Sequence, residues 1–561
     1  MTLVQWFIFF LIVQVVHFLG TWKLYIKAGR QAWEAAVPVY NAVVLMRIIG
    51  RPAWWVILLF VPVVNLIMFP VVWVETLRSF GKKSTTDTIL GIVTLGFYIY
   101  YINYTQEVTH VKERDLRATS KSGDTVSSLL FAIVVATIVH TYVLQPFTIP
   151  TASLEKTLLV GDFLFVSKVN YGARVPMTTV AAPMVHDTIP FFNVKSYSTW
   201  PQLPYLRFPG FEKVQKNDIV VFNWPADTLT DYTNFKSAVV KKPIDKKMNY
   251  VKRCVAIPGD KLEVRNGIVF INGSELKLSD RAKVQYNYTV STNGDVPSYE
   301  LEKLGITDLT KSYTIAPGFT NQQIQAISQY VNGYRELTDG SLYIITGPNG
   351  IPIEVLNQTQ IKMSDGGGNS FVANLTFEKA DKLKRLTGIA AVERVISKPG
   401  SGGAVFPGNQ PAWTQDNMGP ITMPKEGTTV QLTTENLPMY KLIIADYEGN
   451  DLKVTGNEIR INGNVATSYT FKQDYYWMMG DNRHNSLDSR YFGFVPENHI
   501  VGKPVFIWMS YDSGTKSIRW ERLFTTVGGS GEPVSYFKFF IGLLAAWFIF
   551  DYFRKKRKTA E

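Results

Sequence analysis

Apolar residues follow two rhythms along this chain. Uninterrupted runs at 3–20, 53–77, 86–104, 125–145 and 536–553 each approach the ~20 residues that a helix needs to cross a bilayer. They predict about five transmembrane helices. Between the fourth run and the fifth the pattern becomes short alternation, at Asp162 to Val166, Asp218 to Phe222, Leu262 to Gly273 and Tyr475 to Met479, bounded by Gly, Asn, Asp and Pro. Period-two alternation between turn formers marks strands and hairpins, so this region is predicted to be mainly β. Gly267 to Gly273 and Asn457 to Gly463 echo each other and both end on Asn-Gly, predicting two β-hairpins. Helical spacing returns at Asn321 to Tyr330 and Phe377 to Arg394. Glycines at 366–368 and 400–403 lack the Gly-Lys-Ser/Thr of a phosphate cradle and are read as surface loops.

Charge orients the membrane part. The first 19 residues lack a basic leader and an A-x-A-like exit, which predicts a retained anchor. Lys23, Lys27, Arg30, Arg47 and Arg51 follow the first run, Lys112, Arg114, Arg117 and Lys121 precede the fourth, and Arg554 to Lys558 follow the last. Cytoplasmic loops collect such residues, so the N-terminus and the 146–535 region are predicted outside. Arg78, Lys82 and Lys83 dissent, because five crossings turn them outward. A re-entrant hairpin broken near Pro62 and Asn65 would turn them inward at the expense of parity elsewhere. Ala28 to Gly50 is predicted to be an interfacial helix. A hydrophobic content of 46% with mean hydropathy near zero excludes both an ordinary soluble domain and a transporter. The net charge of +12 lies largely beside the membrane runs, where each basic residue gains ~1 kcal/mol from anionic lipid; no nucleic-acid partner is inferred. The lone Cys254 permits no internal disulfide.

Chemistry-bearing residues concentrate in Ile149 to Asp162, Tyr250 to Asp260 and Gly480 to Gly493. Ser153 follows the fourth apolar run closely, which puts it at a membrane surface. A serine that attacks an amide needs a base, and lysine serves only where burial discourages its ammonium. Lys252 lies on an apolar strand; its pKa must fall from ~10.4 by roughly two units, each costing ~1.4 kcal/mol. Taken alone, Lys252 could instead pair with Asp481. Cys254 shares a face with Lys252 but has no histidine nearby in sequence and reads as a packed small hydrophobe. His484 and Lys156 are competing bases. Neither histidines nor carboxylates show metal-ligand spacing, and no cofactor is predicted.

Together the three blocks resemble type I signal peptidases, membrane-anchored Ser/Lys endopeptidases that cut export signals from secreted proteins. The resemblance covers about 125–262 and 471–510. It implies that Ser153 is the nucleophile, Lys252 the general base and Ser486 the hydroxyl that orients the lysine. The Ser153 N–H and the Thr151 hydroxyl would form the oxyanion hole. Arg253 with Asp481, and Asp488 with Arg490, would be structural ion pairs; Phe147, Ile149, Tyr250 and Val251 would shape pockets for small residues at the cut. The implied fold is a signal-peptidase-like β domain with an inserted α+β subdomain. The implied division is a membrane module at 1–124, an anchor at 125–145, catalytic parts at 146–262 and 471–535, an insertion at 263–470, and a last helix with a basic tail at 536–561. Signal peptides of exported preproteins, membrane lipid and the secretion machinery are the implied partners. The implied location is the cytoplasmic membrane, multi-pass, with the catalytic domain on the periplasmic side.

Three residues depart from the family pattern: Leu154 replaces a methionine, Lys156 a proline, and Ala152 the usual small residue before the nucleophile. Residues 21–104 resemble an extra membrane module found ahead of some Bacteroides-lineage signal peptidases. The aromatic stretch from Pro190 to Phe211 could rest on lipid or pack into a core. Two other readings stand beside the enzyme: a non-catalytic membrane-tethered β-domain that binds partners, and a self-cleaving repressor-like protease, against which the spans argue.

Overall fold

The computed structural model describes residues 1–116, 121–226, 228–229, 239–293, 298–306, 309–337, 339–347, 350–365, 370–399 and 405–560. Arg117 and the glycine clusters at 366–368 and 400–403 lie outside the described residues. The chain opens with α1 (Leu3–Lys27), then α2 (Tyr40–Ile48), α3 (Trp55–Phe60), α4 (Asn65–Ser79), α5 (Thr85–Val93), α6 (Tyr98–Thr105) and α7 (Lys121–Ile138).

Among the described residues two helices, not five, are long and apolar enough to span a membrane: α1 and the continuous Lys121–Val143 segment that begins with α7; a third counts only if α5 and α6 form one bent span. The expected span at 53–77 is broken. Val61 precedes Pro62 and takes an extended conformation, with Val63 at φ 69°, as the clash of a proline ring with the preceding residue requires. The expected span at 86–104 bends by 117° between α5 and α6, where Leu95 and Gly96 both have positive φ. The final helix, α8 (Phe537–Ala560), is long, but Lys538 and Asp551 enclose only residues 539–550; an apolar run that short suits an interfacial or re-entrant segment better than a span. The expected interfacial helix from Ala28 to Gly50 is a short 3₁₀ turn, Ala32–Ala35, followed by α2. Val44, Leu45, Met46 and Ile48 of α2 are buried against Leu24, Val72, Leu77 and Ile102, so this stretch forms the module's core. At one end of the module Glu75 meets Arg51 at 2.9 Å and Arg114 at 2.5 Å.

Beyond α7 the chain is mainly β. An antiparallel sheet is built from β1 (Leu144–Thr148), β2 (Asp162–Ser167), β3 (Ile219–Asn223), β4 (Asn249–Ala256), β6 (Tyr475–Met479), β7 (Val495–Pro496) and β8 (Ile500–Asp512), while β5 (Gln285–Thr292) belongs to another sheet. The spatial order is β1-β2-β8-β3-β4-β6-β7, so strands from both ends of the sequence interleave. In β4 alternate residues face opposite ways: Val251 packs with Ile219 and Val221, whereas Tyr250 and Cys254 pack with Val220 and Phe222.

The insertion divides more finely than expected. Strands Lys261–Arg265 and Met418–Thr422 pair, and their Leu262, Val264 and Ile421 share one core with Tyr475, Trp477 and Met479. These flanks are a second layer on the sheet that holds β1 to β4 and β6 to β8. Both predicted hairpins form there, with Asn272 and Asn462 in left-handed backbone before glycine. The described strands between Gln285 and Arg394 form a separate sheet around two further apolar clusters. The predicted helix at Asn321 is present as Asn321–Ile327. The one predicted from Phe377 to Arg394 stops at Leu383, and Ile389–Arg394 is a strand along β5, because Gly388 breaks the helix and the alternating residues after it find an open edge.

Candidate active site

Ser153 lies in a 3₁₀ turn, Ala152–Leu154, within the loop that joins β1 to β2. The ends of that loop are closed by hydrogen bonds between Ile149 and Asp162 and between Gly161 and Ile149, each 2.9 Å. Leu154 and Leu158 are fully buried and anchor the turn to the sheet. Lys252 reaches the same point from the middle of β4, and its Nζ stands 2.6 Å from Ser153 Oγ and 3.1 Å from the Val251 carbonyl. Both residues are buried, Lys252 at 3% exposure and Ser153 at 7%. Burial draws the Lys252 amine down from 10.5 to about 8, against the opposing pull of Asp488 and Asp481 and with some help from Arg490. No carboxylate lies within ion-pair distance of its Nζ among the described residues, so the pairing with Asp481 considered from sequence does not form.

Asp481 instead takes Arg253, whose Nε and Nη2 donate to its two oxygens at 2.7 and 2.6 Å. Asp488 takes Arg490 at 2.9 and 2.8 Å and accepts from the Gly480 N–H at 3.0 Å. Both carboxyls are held below the usual range by these guanidinium partners, which overcome burial. Each pair therefore fixes one end of the 480–490 loop around Lys252. Gly480 permits the closest approach in the site: a Cβ there would stand 2.3 Å from Ser486 Oγ and 2.6 Å from the Ser153 carbonyl oxygen.

The remaining predicted residues occupy graded positions. Ser486 packs beside Ser153 across Gly480, but its buried hydroxyl makes no well-formed hydrogen bond among the described residues. It lies close enough to Asp488 to favour that carboxylate's charged form. Thr151 is exposed at the head of the turn, and its side chain does not cap it. Phe147, Ile149 and Val251 gather in one apolar cluster, while Tyr250 stacks on Trp224 on the other face of β4; the four line two surfaces. Of the competing groups, Cys254 is fully buried and its thiol is pushed well up by that burial. His484 is committed elsewhere: Nδ1 accepts from the Asn287 N–H at 2.9 Å, and Nε2 meets Asp416 at 3.1 Å. Lys156 sits in left-handed backbone at φ 67°.

Sequence reasoning missed Gln285 and Asn482. Gln285, the first residue of β5, is 1% exposed; its Nε2 donates to the Glu155 carbonyl at 2.7 Å and its N–H to Asp481 O at 2.8 Å. Asn482 donates from its backbone to Ser153 O at 3.0 Å and from its side chain to Ala152 O at 3.2 Å. The inserted sheet is thus tied to the serine turn. Amide side chains of this kind carry no spacing signal, so only the fold could reveal them.

The structure thus holds a serine hydroxyl against a buried lysine amine, on an antiparallel sheet that follows an apolar helix. The signal peptidase, peptidase S26 profile matches residues 122–354 and 425–509, and the chain belongs to that family. A separate family of unknown function matches residues 33–113, which hold α2 to α6. Among curated proteins the chain is similar to signal peptidase I of Buchnera aphidicola from Schizaphis graminum, 24% identical over 69% of this chain and 75% of that protein. Signal peptidase I of Haemophilus influenzae is 23% identical over 73% of this chain and 76% of its own length.

Proposed function

We propose that Ser153 is the nucleophile and Lys252 the general base of a signal peptidase I, which removes N-terminal signal peptides from exported preproteins. The chain is a membrane-anchored serine endopeptidase of this family. The observation that carries the residue assignment is the 2.6 Å contact between Ser153 Oγ and Lys252 Nζ. The unprotonated amine takes the hydroxyl proton as Oγ attacks the scissile carbonyl. The Ser153 N–H and Thr151 hydroxyl receive the oxyanion, and the ammonium returns its proton to the leaving amine. Water, activated by the same amine, then releases the acyl group. β1 lies at the edge of the sheet, where an extended signal peptide adds as a further strand and offers small side chains to the surfaces around Val251 and Tyr250.

The N-terminus of α1 and the catalytic domain lie on one membrane face in this reading: the Met1 amine and the Trp6 indole both donate to Gln202 O, at 3.2 and 3.0 Å. Treating the broken α3–α4 and α5–α6 pairs as re-entrant hairpins keeps parity and returns Arg78, Lys82 and Lys83 to the cytoplasmic side. Phe191, Phe192 and Trp200 are strongly exposed and are suited to the lipid interface. The test is cleavage of a model preprotein in detergent by the parent, Ser153→Ala and Lys252→Ala, with folding checked for each. Processing at the small-x-small site is expected to vanish in both variants; activity kept by folded Lys252→Ala would overturn the base assignment.

A further inference from the structure

A cavity of about 170 Å³ opens where the membrane helices meet the catalytic domain, away from the serine. One wall is the exit of the α7 segment, at Thr137, His140 and Thr141; another is Val63, the tip of the broken α3–α4 hairpin. The catalytic domain contributes three cations, Lys168, Arg174 and Lys246, and one carboxylate, Asp245. Each of these is set so that positive charge is left over. Both Asp245 oxygens are taken by Thr178, from its N–H at 2.9 Å and its hydroxyl at 2.7 Å. The Arg174 guanidinium is spent on neutral acceptors, Asn498 O and Asn223 Oδ1, both at 2.7 Å. Lys246 Nζ donates to Val185 O at 3.3 Å and lies over the Tyr197 ring. The Lys168 backbone N–H donates to Val143 O at 3.0 Å, but its Nζ makes no hydrogen bond or ion pair among the described residues. Asp245 favours the charged form of all three cations, and Asp187, paired with Lys242 at 2.6 Å, also acts on Lys246. Three lining cations still outnumber the one lining carboxylate, which is unfavourable in a partly buried space without a counter-anion.

We propose that this cavity binds the phosphate of an anionic lipid headgroup, with Lys168 as its principal contact and Arg174 and Lys246 as flanking cations. Its position argues for lipid over a free ion, since a membrane helix forms its wall and the exposed Phe191 and Phe192 lie close in sequence to its Met184, Val185 and His186 lining. Basic pockets between membrane helices and a polar domain are suited to headgroups. Burial, reinforced by Arg174 and Arg207 and opposed by Asp245, pushes the Lys168 amine down to about 7.

The test uses the full chain in an uncharged detergent, with phosphatidylglycerol, phosphatidylcholine and inorganic phosphate as separate probes and thermal unfolding as readout. Phosphatidylglycerol is expected to raise the melting temperature saturably, with an apparent affinity reduced at least tenfold in Lys168→Met and largely restored in Lys168→Arg. Lys246→Met, a second variant with an independent folding background, should weaken it as well. Both methionine variants should melt near the parent temperature in phosphatidylcholine, which confirms that they fold. Equal titrations for the parent and both methionine variants would overturn the site. An equal response to phosphatidylcholine would overturn its anionic selectivity, and saturation by inorganic phosphate without any lipid effect would overturn lipid as the occupant.

Discussion

Replacing Lys252 by methionine separates a catalytic lysine from a structural one. The side chains are similar in length, so packing against the Tyr250 ring survives while the charge goes. The folded amine sits at about 8, against an ordinary 10.5, and at ~1.4 kcal/mol per pKa unit this is about 3 kcal/mol of destabilisation carried by the ammonium below pH 8. Between about pH 8 and 10.5 the unfolded chain holds a proton that the folded chain has released, so stability rises with pH across that window and is lowest below it. Losing the bond to Ser153 Oγ costs the variant about 1–2 kcal/mol. Lys252→Met is therefore expected to be inactive yet at least as stable as the parent at pH 7, by roughly 1 kcal/mol. The parent should gain about 3 kcal/mol on the variant between pH 7 and pH 10.5. Cleavage of a model preprotein and thermal unfolding at several pH values measure both. A variant less stable than the parent by a margin that does not change with pH would refute the reasoning and make Lys252 a structural residue.

Four further outcomes are expected. With Lys252 as base, kcat/KM should climb about tenfold per pH unit to a plateau above an apparent pKa of about 8; a flat profile from pH 6 to 9 would contradict it. Gly480→Ala should cost more than tenfold in kcat, since its Cβ would collide with the Ser153 carbonyl and the Ser486 hydroxyl; unchanged kinetics would show that the loop has room. Gln285→Ala should lower stability by about 1–2 kcal/mol and kcat by several-fold with KM little changed, because the Glu155 carbonyl loses its buried partner; unaltered kcat would limit Gln285 to stability. Lys156→Pro, although it restores the residue usual in the family, should destabilise by about 3 kcal/mol or more, because proline cannot adopt φ 67°; a normal melting temperature would mean that the turn is built differently.

The proposed Ser153–Lys252 pair was legible because its chemistry is local. Ser153 follows a membrane run, Lys252 stands on an apolar strand, and each block keeps its spacing within a few residues. The β class was equally plain from alternation, and both Asn-Gly turns fell where left-handed backbone is required. Membrane crossing was overread, since hydropathy sums the residues of a run and does not register that Pro62 or Gly96 turns the chain back.

What the sequence determined by itself is the set of side chains able to do the chemistry and the strands that carry them. Tertiary structure alone decided which of those side chains meet. It brought β4 beneath the serine turn and lowered the Lys252 amine by burying it. It turned Asp481 to Arg253 instead of Lys252, and it set Gln285 of the inserted sheet against Glu155. Spacing along the chain carries no information about contacts between residues separated by more than a hundred positions. Those contacts exist only once the apolar faces have packed, and burial, which sets both the pKa and the geometry of the pair, is a property of that packing.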